Sequence, residues 1–131
     1  MIENRFVLDT NAVIFLTTRG NIIPSGLEAE LNKAALYISV ISEIELFSKP
    51  TLPPAEEENL RIFLSDRICI ANITNDIKKE TIALRRSTRL KLPDCIIAAT
   101  SAILDAILIT NDPHLLRLSL PNYEVKAISV F

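Results

Sequence analysis

Histidine occurs once in this chain, at His114, and cysteine twice, at Cys69 and Cys95. A single imidazole argues against a histidine-centred triad and against a zinc site. The two cysteines lie in apolar stretches without metal-type spacing, so both are expected to be buried free thiols. No apolar run reaches the roughly 20 residues of a membrane span. The opening MIENRFVLDT carries no secretory signal, so a cytoplasmic location is expected. Internal repeats and low-complexity tracts are missing. Charge of either sign is not in large excess either: the formal net charge is -2. Global attraction to nucleic acid is thereby excluded, and a nucleic-acid function would need a local basic patch.

Apolar residues, by contrast, are plentiful, at 49% of 131. That supports one compact domain, residues 1–131, around one real core. Its organising stretch is LPDCIIAATSAILDAILITND, Leu92 to Asp112. Asp94 opens it, the run from Cys95 to Leu104 is charge-free, and Asp105-Ala106 breaks it. Ile107-Leu108-Ile109 then reads as a strand. A helix from Asp94 to Leu104 advances roughly 15 Å. A strand from Ala106 to Asp112 returns roughly 20 Å. Asp94 and Asp112 should therefore reach the same edge of the fold.

The remainder alternates in the same way. Arg5–Leu8 reads as a first strand ending on Asp9, and Asp9 or Thr10 caps a helix from Asn11 to about Leu16. Leu36–Ile41 reads as the second strand, with Ser42-Glu43-Ile44-Glu45 as a capping box that starts a helix. Helices are expected over Gly26–Ala35, Ala55–Ser65, Thr74 to about Leu90 and Pro113–Leu118, and strands over Arg67–Ala71 and Tyr123–Ile128. Strand–helix alternation of this kind predicts an α/β three-layer sandwich: a central parallel sheet of about five strands flanked by helices. In such sheets functional groups gather at the carboxyl ends of the strands. Asp9, Glu43, Glu45, Asp94 and Asp112 are all expected at that rim.

Carboxylates brought within a few ångströms repel, so they share protons or hold a cation. Lacking histidine and cysteine, such a site offers hard oxygens, which suit Mg²⁺ or Mn²⁺. Oxygen-ligated ions of this type commonly activate water and neutralise phosphoryl charge, which points to phosphoester hydrolysis. Each acid also has a structural use. Asp9 and Asp112 could cap helices, Glu45 could complete the capping box, Glu43 could be solvated, and Asp94 suits a helix dipole. Asp105 could simply end the apolar helix, because Asp tolerates turn geometry. Four acids at one rim by coincidence is a weaker explanation than these taken singly.

Four segments carry a family resemblance: Leu8-Asp9-Thr10-Asn11, Ser39 to Leu46, Pro93-Asp94-Cys95-Ile96-Ile97-Ala98-Ala99-Thr100 and Ile109-Thr110-Asn111-Asp112. Together they resemble the motifs of PIN-domain nucleases, most closely the VapC-type toxin ribonucleases, over residues 5–128. The resemblance implies Mg²⁺- or Mn²⁺-dependent endoribonuclease activity on RNA. It places Asp9, Glu45, Asp94 and Asp112 as catalytic acids, with Asp9, Asp94 and Asp112 holding the ion. Glu45, and Asp112 through water, would help deprotonate the attacking water. Asn11 and Thr110 match supporting polar positions, with Glu43 a lesser candidate beside Glu45. It further implies a homodimer silenced by a cognate antitoxin, with Leu16, Ile22 and Ile23 as candidate apolar contacts. Two departures stand out: Phe47-Ser48-Lys49 and Asp105-Ala106 occupy places where the family often has glycine.

For RNA binding, Lys78, Lys79, Arg85, Arg86, Arg89 and Lys91 put six of the 14 basic residues on or just after one helix. Arg85, Arg86, Arg89 and Lys91 are the candidate phosphate contacts leading to Asp94; a solvated helix face is the plain alternative. Other enzyme classes fit less well. A haloacid-dehalogenase-type metal-dependent phosphatase wants a second Asp where Asn11 stands, and a receiver domain wants an Asp where Ala71-Asn72 stands. The alternative outside catalysis is a PIN-like scaffold used as a binding or structural module, with idle acids.

Overall fold

The computed structural model describes residues 4–131. Residues 1–3 of the opening segment read above lie outside the described residues. In chain order the elements are β1 (Arg5–Leu8), α1 (Thr10–Thr17), α2 (Ser25–Lys33), β2 (Ala35–Ser39), α3 (Val40–Phe47), α4 (Pro54–Arg67), β3 (Cys69–Ala71), α5 (Asn75–Ser87), α6 (Leu92–Ile103), β4 (Ile107–Ile109), α7 (Pro113–Leu116) and β5 (Glu124–Lys126). A short 3₁₀ turn, Ile128–Val130, follows. Among the described residues, no helix is long and apolar enough to cross a membrane.

All five strands are parallel, in the order β3-β2-β1-β4-β5. The expected three-layer α/β sandwich is thus the observed one. Strand side chains alternate between two faces with period two. Phe6, Leu8, Leu36, Ile38 and Ile109 pack with Ala12, Val13, Leu27, Leu31, Leu46, Leu60 and Leu64, beneath α1 to α4. Val7 and Leu108 point the other way, onto Ile77, Leu84, Cys95, Ile97, Ala98 and Ala99 of α5 and α6. Helix α6 is buried from Cys95 through Ser101, which accounts for its charge-free sequence. Its two hydroxyls cause no unmet polarity: Thr100 and Ser101 donate to the carbonyls of Ile96 and Ala98, both at 2.7 Å.

Several boundaries differ from those the sequence suggests. Strand β2 stops at Ser39, and Ser39, not Ser42, caps α3 by accepting from the Ile41 amide. The capping box is therefore not used; three more residues, Val40 to Ser42, wind into the helix, and Ser42 is fully buried instead of terminal. Helix α5 ends at Ser87, so Arg89 and Lys91 belong to the connection into α6 rather than to a helix face. The closing strand is shorter, Glu124–Lys126, because the chain turns at Ala127. Cys95 is buried as expected, whereas Cys69 is exposed, since it opens the edge strand β3. Of the three apolar contact candidates, only Ile22 is openly exposed, while Leu16 and Ile23 pack partly against the core.

Asp105 adopts a left-handed backbone conformation, φ +52°, where α6 hands over to β4. Its amide and that of Ala106 donate to the carbonyls of Ala102 and Ser101. This closure satisfies two carbonyls at the end of α6 but holds a residue with a Cβ where glycine is better suited. Asp105→Gly should therefore stabilise the protein by about 0.5–1 kcal/mol, and Asp105→Val should destabilise it by about 1–2 kcal/mol. Urea unfolding of the two variants beside the parent measures both.

Candidate active site

Parallel strands that leave β1 in opposite directions create a crevice where their carboxyl ends diverge. Here that point lies between β1 and β4, paired with Leu8 opposite Ile109. The next residues along are Asp9 and Thr110. The Asp9 amide donates to the Ile109 carbonyl (3.2 Å), and the Thr110 amide to the Lys126 carbonyl (3.1 Å). Asp9 is only 4% exposed, and Thr110 is completely buried.

Asp9 has both carboxylate oxygens engaged. Oδ1 accepts from the Ala12 amide at 2.7 Å, so Asp9 does cap α1. Oδ2 accepts from the Thr110 hydroxyl. Thr110 Oγ1 in turn accepts from the Asp112 amide at 2.9 Å, and Asp112 Oδ1 accepts from the His114 amide at 2.8 Å, capping α7. The structural uses of Asp9 and Asp112 are thus realised, and they also fix where the remaining lone pairs point. Burial raises the Asp9 carboxyl above the ordinary carboxylate range, and the charges of Asp112 and Asp94 push it the same way; Thr110 and the Ala12 amide oppose them.

Asp94 stands in the first turn of α6, a placement the helix dipole favours. Its carboxyl is also raised, first by burial, then by Asp112 and Glu45, with Lys91 and His114 pulling it down. Asp9, Glu45, Asp94 and Asp112 therefore share one electrostatic site, drawn from four separate segments. Glu45 is held by Thr10, expected only as an alternative helix cap: Thr10 Oγ1 donates to Glu45 Oε1 at 2.8 Å and stands 3.1 Å from Ser42 Oγ. A hydroxyl one residue after Asp9, at the start of a helix packed on α3, was the available signal.

The other candidates are placed less uniformly. Asn11 is exposed on α1 and is not brought into the cluster. Glu43 lines a groove with Phe47, Glu58 and Arg61 against α4, because two residues along a helix turn it about 200° away from Glu45. Arg85 donates to the Leu90 carbonyl at 2.6 Å, so it shapes the connection into α6. Arg86 is exposed on α5. Arg89 and Lys91 line a cavity that also contains Asp94 and Asp112, together with His114 and Arg117.

The donor set is entirely carboxylate and hydroxyl oxygen, which fits a hard divalent ion. Among the described residues, no three acidic, histidine or cysteine side chains stand close enough together to hold a metal ion by themselves. Mg²⁺ keeps several waters and is commonly held by one or two carboxylates, so a further acid would reach it through water.

A parallel α/β domain with an acidic site at its topological switch point is the class these features define. The PIN domain family profile matches residues 6–120, and the chain belongs to that family. A comparison with curated proteins finds no match. Among solved structures, the chain is 30% identical to a chain in a toxin–antitoxin complex from Klebsiella pneumoniae, with a TM-score of 0.68 over 90% of this chain and 98% of that one. VapBC2 from Rickettsia felis, bound to a DNA fragment from its promoter, is 23% identical, with a TM-score of 0.77 over 94% and 98%. DNA-bound VapBC from Salmonella typhimurium is 22% identical, with a TM-score of 0.72 over 95% and 98%. The latter two likenesses establish shared fold.

Because Asp94 titrates higher in the folded chain than in the unfolded one, its ionised form costs stability. That cost is absent below the unfolded carboxylate range, near pH 4, and is complete once pH passes the folded value. Asp94→Asn should therefore raise the melting temperature at pH 7, with a gain that shrinks as the pH approaches about 4. A gain independent of pH would contradict the repulsion. For Asp9, the asparagine variant keeps an acceptor for the Ala12 amide and the alanine variant does not. Asp9→Ala should be about 1–2 kcal/mol less stable than Asp9→Asn in urea unfolding.

Proposed function

We propose that this chain is a divalent-metal-dependent endoribonuclease acting as the toxin of a type II toxin–antitoxin pair. The observation that carries the reading is the shared acidic site of Asp9, Glu45, Asp94 and Asp112 beside the β1–β4 crevice. Membership of the PIN family supports it. So does the likeness, at 30% identity, to a chain of a toxin–antitoxin complex.

Asp9, Asp94 and Asp112 are the residues that would hold Mg²⁺ or Mn²⁺. Such an ion, when bound, acidifies water and offsets charge on a phosphate. The chain's own groups do the rest. Thr110 keeps Asp9 oriented by donating to Oδ2, and the same hydroxyl accepts from the Asp112 amide, so the two acids are set by one side chain. Thr10 occupies Glu45 Oε1 and leaves Oε2 as a proton acceptor for the attacking water. Asp112 can accept through a second water. Arg89 and Lys91, on the wall of the cavity that contains Asp94 and Asp112, are the two proposed phosphate contacts best placed to neutralise RNA entering the site. The cognate antitoxin belongs to this proposal by analogy with the complexes above, and a homodimer is proposed with it.

Glu45 and Glu43 separate the enzyme from an idle scaffold. Glu45→Gln should lower RNA cleavage by about 100-fold or more, and Glu43→Gln should stay within about twofold of the parent. Asp9→Asn and Asp94→Asn should lose activity at least as far, and chelation should abolish it in all chelator-treated samples. Cleavage at the parent rate by Asp9→Asn or Asp94→Asn in Mg²⁺ would reject the assignment in favour of a binding module.

A further inference from the structure

One cavity abuts the acidic site, and its far end has a different character. It measures about 600 Å³ and opens between the connection from α5 to α6 and the segment that follows α7. Asp94 and Asp112 stand on its wall. Beyond them, Leu90, Leu118 and Leu120 supply an aliphatic surface, and Arg89, Lys91 and Arg117 supply cations. Leu90 is anchored in the core, while Leu120 is 38% exposed, so the apolar surface is part floor and part open lip.

This combination is unnecessary for gripping a phosphate backbone alone, which needs only charge. Three leucines beside three cations match a molecule with a flat apolar face and an attached anion. A nucleotide is such a molecule, and the volume lies within the roughly 300–1,000 Å³ range of sites that enclose small ligands. Among the described residues no Phe, Tyr or Trp lines the cavity, and its one aromatic ring is the His114 imidazole, beside the acids. At the far end from His114 a base would lie on leucine methyls and a guanidinium plane, a mode open to unstacked bases and closed to those within a duplex.

We propose that this cavity is a nucleotide subsite: it takes one unpaired base next to the scissile phosphate, with Leu118 and Leu120 against the base and Arg117 against the base or its phosphate. The subsite rests on the nuclease reading for its place beside the cut, and it adds which residues meet the base there. Arg117, Leu118 and Leu120 are then specificity-determining residues, although none belongs to the acidic motifs.

Methyl-resolved NMR of the metal-free protein tests this without requiring turnover. A single-stranded RNA octamer should shift the methyl signals of Leu118 and Leu120 through ring currents. An abasic octamer with the same number of phosphates should not. Leu120→Ala should weaken binding of the base-containing octamer roughly five- to tenfold and leave binding of the abasic one unchanged. Equal shifts from both octamers, or none from either, would overturn the subsite, as would leucine shifts caused by a short apolar peptide and not by RNA. The two readings fail separately. A protein that cleaves RNA while these methyls stay silent keeps the nuclease assignment and loses the subsite. One whose methyls respond, yet which leaves RNA intact in Mg²⁺, keeps the subsite and loses the nuclease.

Discussion

The pairing of β1 with β4 is the constraint on which the site depends. It sets Leu8 against Ile109, so the residues that follow, Asp9 and Thr110, leave the sheet side by side. Their hydrogen bond then ties the start of α1 to the loop before α7. A one-residue slip in this register would turn every side chain of β4 to the opposite face and take Leu108 and Ile109 out of the clusters they pack in. The hydrophobic effect on two faces of a sheet thus fixes, indirectly, where a carboxylate and a hydroxyl meet.

Packing also maintains an arrangement that electrostatics opposes. Asp9 and Asp94 are partly desolvated and face other acids, which raises both carboxyls. What holds them is apolar: α6 is sealed on α5 and the sheet, with Ala98 and Ala99 fully buried. Burying one leucine or isoleucine side chain contributes about 1.5–3 kcal/mol, and the core contains many of them. Hydrogen bonds do the finer work. Caps at Asp9 and Asp112 cost little and leave each acid with lone pairs directed into the crevice. One polar relay, Asp112 amide to Thr110 hydroxyl to Asp9 carboxylate, couples two acids 103 residues apart in sequence (112 minus 9).

The alternation of strands and helices was legible because β1 to β4 are short, mostly apolar and end on or soon before a capping residue. The rim location of the acids was legible too, from the out-and-back lengths of α6 and β4. Local competition between caps was not. Ser39 and Ser42 are both competent caps, and only the length of β2 against its neighbours selects Ser39. That choice winds Glu45 into the middle of a helix and turns Glu43 toward α4. The basic cluster was legible as composition but not as direction: Arg85 is taken up by the Leu90 carbonyl, whereas Arg89 and Lys91 reach the cavity. Arg117 and the leucines beyond α7 carried no motif, because nothing in a sequence tells which distant loop closes a cavity. Thr10 and Asn111 stood inside motifs without a partner that the sequence could name. Thr10 proves to hold Glu45, and Asn111 Oδ1 accepts from the Ile128 amide at 3.1 Å, fastening the turn after β5.

The central claim is that these four acids form one anionic site able to seat a hard divalent ion. Mn²⁺ titration of the isotope-labelled protein, followed by paramagnetic broadening of its amide signals, reads this directly. The account predicts selective broadening around residues 9–12, 45, 94–95 and 112–114 at substoichiometric Mn²⁺, abolished in Asp94→Asn. Uniform weak broadening, or a focus elsewhere such as the Glu56-Glu57-Glu58 turn, would contradict it.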